Sequence, residues 1–372
     1  MASQLVAEGR DIISLGVGEP DFDTPDHIRE AAIEAIRGGD THYTAVDGTA
    51  ALKQAIIDKF ERDNGLGYTA DQILVSCGGK QSFFNLCQAV VDTGDEVIIP
   101  APYWVSYPDI VILADGKPVI VETGIDSGFK MTADMLAAAI TDKSRLLVLN
   151  SPSNPTGVSY TLDELKALGE VLRGHPELLI ATDDMYEHIV WGESEFCNIL
   201  NACPELYQRT LVLNGVSKAY AMTGWRIGYA GGPAEIIKAM KKVQGQCTSN
   251  PCSVSQAASV AALNGDHAPV RAMVAEFKRR HDYLVGALNA IEHIHCLESN
   301  GTFYSFPNIQ GFIDARDDLN NDVEVANLLL QGGVALVPGS AFGAEGYMRI
   351  SFATGMENLE QAVSRIAATF RG

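Results

Sequence analysis

The chain has 372 residues, of which 47% are hydrophobic and 20% charged, with a formal net charge of -20. A chain of this size outgrows one hydrophobic core, so two packed regions are expected. The acidic excess contains no basic tract, which argues against nucleic acid or an anionic membrane as a partner, because polyanions need clustered Lys and Arg. Seven cysteines, at 77, 87, 197, 203, 247, 252 and 296, form no C-x-x-C pair. They are expected to be reduced, small buried hydrophobes rather than a disulfide framework or zinc ribbon. There is no H-E-x-x-H motif, and no metal site is expected. The first residues, MASQLVAEGRDII, lack a basic stretch followed by an apolar one, and no window reaches 18 uninterrupted apolar residues; a cytoplasmic location is the expectation.

In chain order, Thr24 or Asp26 with Pro25 is expected to open a helix over 27–36. Apolar, β-branched runs recur at 73–76, 96–100, 118–122, 145–150, 178–182, 209–214 and 226–231. Helix-length segments with apolar residues at 3–4 spacing lie between many of them, as at 81–91, 132–140 and 161–172. Thr161 and Glu164 form a capping box for the last of these. Such alternation predicts an α/β fold with a mostly parallel central sheet flanked by helices. After Pro233, helical stretches at 235–245, 253–263 and 268–291 lead to a β-rich tail at 302–307, 334–339 and 348–353, a smaller α+β domain. The expected division is an N-terminal segment (1–34) packing with the small domain, a large domain (35–235), connecting helices (236–265) and the small C-terminal domain (266–372).

The unusual residues crowd the strand ends, where open α/β sheets place their chemistry. Cys77-Gly78-Gly79-Lys80-Gln81 joins a strand to a helix, and its glycines allow backbone N–H groups to approach an anion. The spacing is not that of a P-loop, and Asp21 spoils a dinucleotide fingerprint after Gly16-Val17-Gly18. The loop 102–107 gathers Tyr103, Trp104 and Tyr107, either as a stacking plate or as core. Asn154 sits in a turn-rich string, 150–157, that serves as a plain turn or as a fixed amide. Asp183 ends a buried strand, as a helix cap or as a functional carboxylate. Lys218 and Arg226 lie in VSKAYAMTGWRIGYAGG, and a lysine there is either a solvated charge or a nucleophile. Together these ends offer an anion cradle, an aromatic plate, an amide, a carboxylate and a lysine. Pyridoxal 5′-phosphate uses all five.

The motifs SLGVGEPDFDTP (14–25), YTAVDGTAALKQAI (43–56), SCGGKQSFFNL (76–86), APYWVSYP (101–108), NSPSNPTG (150–157), TDDMYEHI (182–189), VSKAYAMTGWRIGY (216–229) and MRISFATGMENLE (348–360) resemble those of class I/II pyridoxal-phosphate aminotransferases of fold type I. The resemblance is strongest to bacterial aspartate aminotransferases of subgroup Ib, and it runs in order from about residue 11 to the C-terminus.

The resemblance implies that Lys218 holds the cofactor and shuttles the substrate Cα proton. Asp183 would pair with the ring nitrogen, Tyr186 and Asn154 would bond the phenolic oxygen, and Trp104 would stack on the ring. Gly78, Gly79, Lys80 and Arg226 would hold the phosphate, with Ser217 as a further ligand and Tyr43 reaching the neighbouring subunit's phosphate in a homodimer with shared sites. Arg349 would clamp the substrate α-carboxylate with help from Gly18 and Asn154, and Lys80 would meet a distal carboxylate. The implied reaction moves an amino group from L-aspartate, or a related acidic or aromatic amino acid, to 2-oxoglutarate. Prephenate or aromatic specificity and a β-lyase activity are the alternatives. Four positions depart from the family pattern: only 13 residues precede Ser14, Gly215 stands where relatives place a phosphate-binding serine, Asp184 replaces the common glutamate after Asp183, and Gly16 replaces a hydroxyl residue.

Overall fold

Apolar runs make strands, and seven of them here build one sheet, largely buried except at its edge strand Lys117–Glu122. In the computed structural model, which describes residues 2–192 and 195–371, a short strand β1 (Ile13–Ser14) comes first. It is followed by β2 (Ile73–Ser76), β3 (Glu96–Ala101), β4 (Lys117–Glu122), β5 (Ser144–Asn150), β6 (Leu179–Asp183), β7 (Thr210–Gly215) and β8 (Gly228–Gly231). The large sheet has the order β2-β8-β7-β6-β5-β3-β4. Its pairings are parallel except those of β8, which runs antiparallel to both β2 and β7. The expected mostly parallel sheet is present, with all seven expected runs in it.

Side chains alternate across the sheet with period two. Ile98, Leu147, Ile180 and Val212 face one layer, with helices Ala50–Lys59, Leu162–Arg173 and Ser253–Asn264. Val97, Val148, Ala181 and Leu213 face the other, with helices Gly79–Val90, Ser106–Leu113 and Ala234–Cys247. A third core gathers Leu15, Phe277, Leu284, Phe303, Ile350, Phe352 and Leu359. Its strands are β9 (Tyr304–Ser305), β10 (Val334–Ala335), β11 (Val337–Pro338) and β12 (Met348–Ser351). β1 pairs with β10, and β11-β12-β9 form an antiparallel sheet. Helix Ala268–Asn289 joins the bodies, placing Val270 in the first core and Phe277 and Leu284 in the third.

Local chemistry departs from expectation at several points. The capping box at Thr161 and Glu164 forms, but helix Asp26–Arg37 has no side-chain cap. Thr24 Oγ1 instead donates to Ala221 O at 2.6 Å and accepts from Trp225 Nε1 at 3.0 Å, tying the N-terminal strap to the lysine loop. That helix also buries Ile28 and Ala32 against the large body, so only the first part of segment 1–34 packs with the small one. The helices expected to connect the bodies within 236–265 pack on the large one as well, through Ile237 and Met240 on one layer and Ala258 and Ala262 on the other. All seven cysteines are free; Cys247 and Cys252 are exposed and Cys77 and Cys197 half-buried, so the fully buried expectation holds only at 87, 203 and 296.

Candidate active site

The ends of β3, β5, β6 and β7, with the start of helix Gly79–Val90, open onto a cavity of about 390 Å³. Its wall includes Gly18, Gly79, Lys80, Trp104, Asn154, Asp183, Tyr186, Ser217, Lys218, Arg226 and Arg349, which the sequence singled out from seven separate stretches. Two expected residues are not in that wall. Gly78 lies behind it, and Tyr43 is 92% exposed on the outer surface.

Lys218 Nζ donates to Gly18 O at 2.5 Å. Burial pushes its amine down to about 8, helped by the positive charges of Arg349 and Arg226 and opposed by Glu19 and Asp183. Asp183 is the last residue of β6, and burial raises its carboxyl. Two donors oppose that rise: Tyr107 Oη donates to Oδ2 at 2.6 Å and the Met185 N–H to Oδ1 at 3.2 Å. Tyr186 Oη lies 3.2 Å from Tyr304 Oη.

Arg349 stands on β12, 8% exposed. Its Nη1 donates to Asn154 Oδ1 at 3.0 Å and its Nη2 to Gly16 O at 2.8 Å, while Nε is buried with no partner. The Tyr304 and Phe342 rings flank its guanidinium carbon at 4.4 and 4.9 Å. Such stacking holds the planar fork in place for a carboxylate. Lys80 Nζ sits 5.1 Å from the Trp104 ring centroid.

The anion cradle depends on glycine. Gly78 has φ +88°, and a Cβ there would stand 2.1 Å from Arg226 Nη2; a Cβ on Gly228 would stand 2.2 Å from Gly79 N. Helix Gly79–Val90 has no side-chain cap, so its first-turn N–H groups face the cavity mouth without one. Arg226 holds φ +56° and donates from Nη1 to Thr223 O at 2.7 Å.

These features fit pyridoxal 5′-phosphate: a capless helix start beside a guanidinium, a buried carboxylate with only neutral donors bonded to it, and a depressed lysine in one cavity. Reasoning from the sequence missed Tyr107 and Tyr304 as wall residues. Tyr107 was grouped with loop aromatics, although helix Ser106–Leu113 begins beside it, and Tyr304 was placed in a β-rich run. A usable signal existed, since a buried tyrosine needs a partner for its hydroxyl.

The fold and this lysine–carboxylate–arginine cavity define a pyridoxal-phosphate-dependent transferase of fold type I. The family model for aminotransferase class I and II matches residues 10–366, and the chain belongs to that family. It is 60% identical to the aspartate/prephenate aminotransferase of Nitrosomonas europaea over 99% of this chain and 94% of that protein. The crystal structure of the Rhizobium meliloti aspartate aminotransferase superposes with a TM-score of 0.96 at 50% identity, covering 100% of this chain and 94% of that one. That of Thermus thermophilus aspartate aminotransferase with maleate superposes with a TM-score of 0.92 at 41% identity, covering 99% and 94%. Among the described residues, no helix is long and apolar enough to cross a membrane, and no cluster of His, Cys, Asp and Glu could hold a metal ion.

Proposed function

We propose that this aminotransferase moves the amino group of L-aspartate, or a related acidic or aromatic amino acid, to 2-oxoglutarate in a ping-pong cycle. The observation that carries the reading is the single cavity lined by Lys218, Asp183, Arg349 and Lys80, with two cationic side chains besides the lysine to receive a dicarboxylate. The Thermus relative solved with maleate, itself a dicarboxylate, and the printed names of the relatives support it.

When bound, pyridoxal phosphate supplies an electron sink for the substrate's Cα. Asp183 stands to hold a proton at the ring nitrogen, and Tyr186 and Asn154 to bond the phenolic oxygen. Trp104 would cover the ring face. The phosphate would be held by the N–H groups of Gly79 and Lys80 next to Gly78, by Ser217 and by Arg226. Arg349 orients the α-carboxylate through two parallel hydrogen bonds, with Asn154 and the Gly18 backbone beside it, and Lys80 meets the distal carboxylate. Lys218, its amine depressed to about 8, would take the proton from Cα and deliver it to the cofactor carbon that keeps the amino group. The second half-reaction uses the same residues in reverse with 2-oxoglutarate.

The reading includes a homodimer in which the partner subunit's Tyr43 completes the phosphate site, since Tyr43 of this chain lies outside its own cavity. It also includes two domains joined at helix Ala268–Asn289, and a cytoplasmic location, which the seven free cysteines support. A panel of amino donors against 2-oxoglutarate tests it. L-aspartate is expected among the best donors and Lys218→Ala is expected to abolish turnover. Wild-type turnover by Lys218→Ala would overturn the mechanism, and no turnover of aspartate would overturn the substrate.

A further inference from the structure

Below the cavity a lysine and a glutamate with no place in the chemistry above are buried together. Lys59 is 0% exposed and forms an ion pair with Glu187, which is 4% exposed. Neighbouring amides bond to both. Lys59 Nζ donates to Asn64 Oδ1 at 2.7 Å, Asn64 Nδ2 to Glu187 Oε2 at 2.8 Å, and Asn214 Nδ2 to Glu187 Oε1 at 2.7 Å. Burial works to raise the Glu187 carboxyl, yet Lys59, His188 and Asn64 prevail and bring it down to about 2, so it is ionised. An enclosed ion pair is often no more stabilising than apolar residues of the same volume. Stability alone therefore gives no reason for it.

Its position does. Glu187 follows Asp183 by four residues, and Asn214 precedes Lys218 by four. The β6–β7 ladder ends at Asp183 opposite Leu213, and the Asp184 N–H donates to Leu213 O at 2.9 Å. The two strands pair no further, and the bond between Glu187 and Asn214 ties their segments again. Asn214 is fixed at its other end, where Oδ1 accepts from Gly215 N at 2.7 Å. The anchor on the far side is Asn64, the last residue of the π-helical turn Phe60–Asn64, whose carbonyl accepts from Asn201 Nδ2 at 2.7 Å.

We propose that Glu187, held by Lys59 and Asn64, is a positioning residue for amino transfer: through Asn214 it joins the segment bearing Asp183 to the segment bearing Lys218 and sets how the lysine amine stands relative to the buried aspartate. This rests on the roles proposed above for Lys218 and Asp183. The charged groups facing Lys218 are Arg349, Glu19, Arg226 and Asp183, and those facing Glu187 are Lys59, His188 and its neighbour Asp184. Substitutions at 59, 187 and 214 leave every charge around Lys218 in place, so a change at Lys218 reports geometry.

Two variants of the holoenzyme test this. Asn214→Ala removes the tie and leaves the ion pair whole; Lys59→Met with Glu187→Leu removes both charges and keeps the volume. Three quantities are measured: the thermal midpoint, the pH at which the visible absorbance of the bound cofactor changes, and kcat and KM for the amino donor. Both variants are expected to shift the absorbance midpoint by about half a pH unit or more and to lower kcat roughly tenfold, with KM within about twofold. The proposal is overturned if the absorbance midpoint and kcat stay at wild-type values, whatever happens to the thermal midpoint. If the double variant does not fold, Asn214→Ala decides alone. A Lys218→Ala control separates the two readings: loss of turnover there with both variants at wild-type values overturns the tie alone, whereas wild-type turnover there overturns the role of Lys218 and the tie with it.

Discussion

Tyr107, a buried side chain, places its hydroxyl 2.6 Å from Asp183 Oδ2. A buried carboxylate needs such donors to stay ionised, and Tyr107 is the side chain that supplies one. Tyr107→Phe removes a bond that lowers the Asp183 pKa, so the carboxyl will protonate at higher pH. The acid limb of the kcat–pH profile is expected to move upward, with kcat down about tenfold; an unmoved acid limb would count against the role. Lys218 offers a second measurement. With its amine at about 8, labelling of the cofactor-free protein by an amine-reactive reagent should show a midpoint near pH 8 at this lysine, well below the ordinary lysines. Lys218, Arg349 and Asp183 were legible in the sequence because a motif surrounds each. Tyr107 and Tyr304 were not, because an aromatic in an apolar run looks the same whether its hydroxyl meets solvent, a core void or a carboxylate.

Elements were readable in proportion to their length. Six of the seven strands of the large sheet carry apolar runs with β-branched residues, and strands buried on both faces need little else; β8, Gly-Tyr-Ala-Gly, has none. The small body's strands span two to four residues, too few for a period-two pattern to show. The reversed direction of β8 left no local trace either, since strand chemistry does not encode the neighbour's sense. The helix at Gly79 was legible from residue 81 although it begins without a side-chain cap, whereas the one at Ser106 hid inside an aromatic loop. The Lys59–Glu187 pair belongs to this scale, because it joins helix, turn and two strand ends. Glu187 has a folded pKa of about 2 against an ordinary 4.5. The stability it contributes is therefore present above about 4.5 and lost as pH falls toward 2. In acid titrations followed by circular dichroism, Lys59→Met with Glu187→Leu should flatten the loss of stability across that window. An unchanged acid limb would show that the pair is not what acid attacks.

Across the whole molecule, the bodies meet over the cavity and Tyr43 points away from it. If the partner subunit's Tyr43 serves this chain's site, a hybrid of Lys218→Ala and Tyr43→Ala chains contains one site with both defects and one with neither. Co-refolding two impaired homodimers should then restore about half of a wild-type dimer's activity per hybrid. If Tyr43 acts only within its own chain, mixing restores nothing. The sequence could propose this sharing only through resemblance, because an exposed tyrosine on a loop carries no mark of what will cover it. The strap at 15–24 has its own consequence for the assembled site. Gly16 O accepts from Arg349 and Gly18 O from Lys218, so the guanidinium that awaits an amino acid and the lysine beside it are already engaged by neutral carbonyls. Substrate entry is thus a replacement of partners rather than a filling of vacancies, and its net gain is the difference between a carboxylate and an amide oxygen as acceptor. The backbone acts as a competitor built into the chain, trading some affinity for a site whose charged side chains are aligned before the ligand arrives.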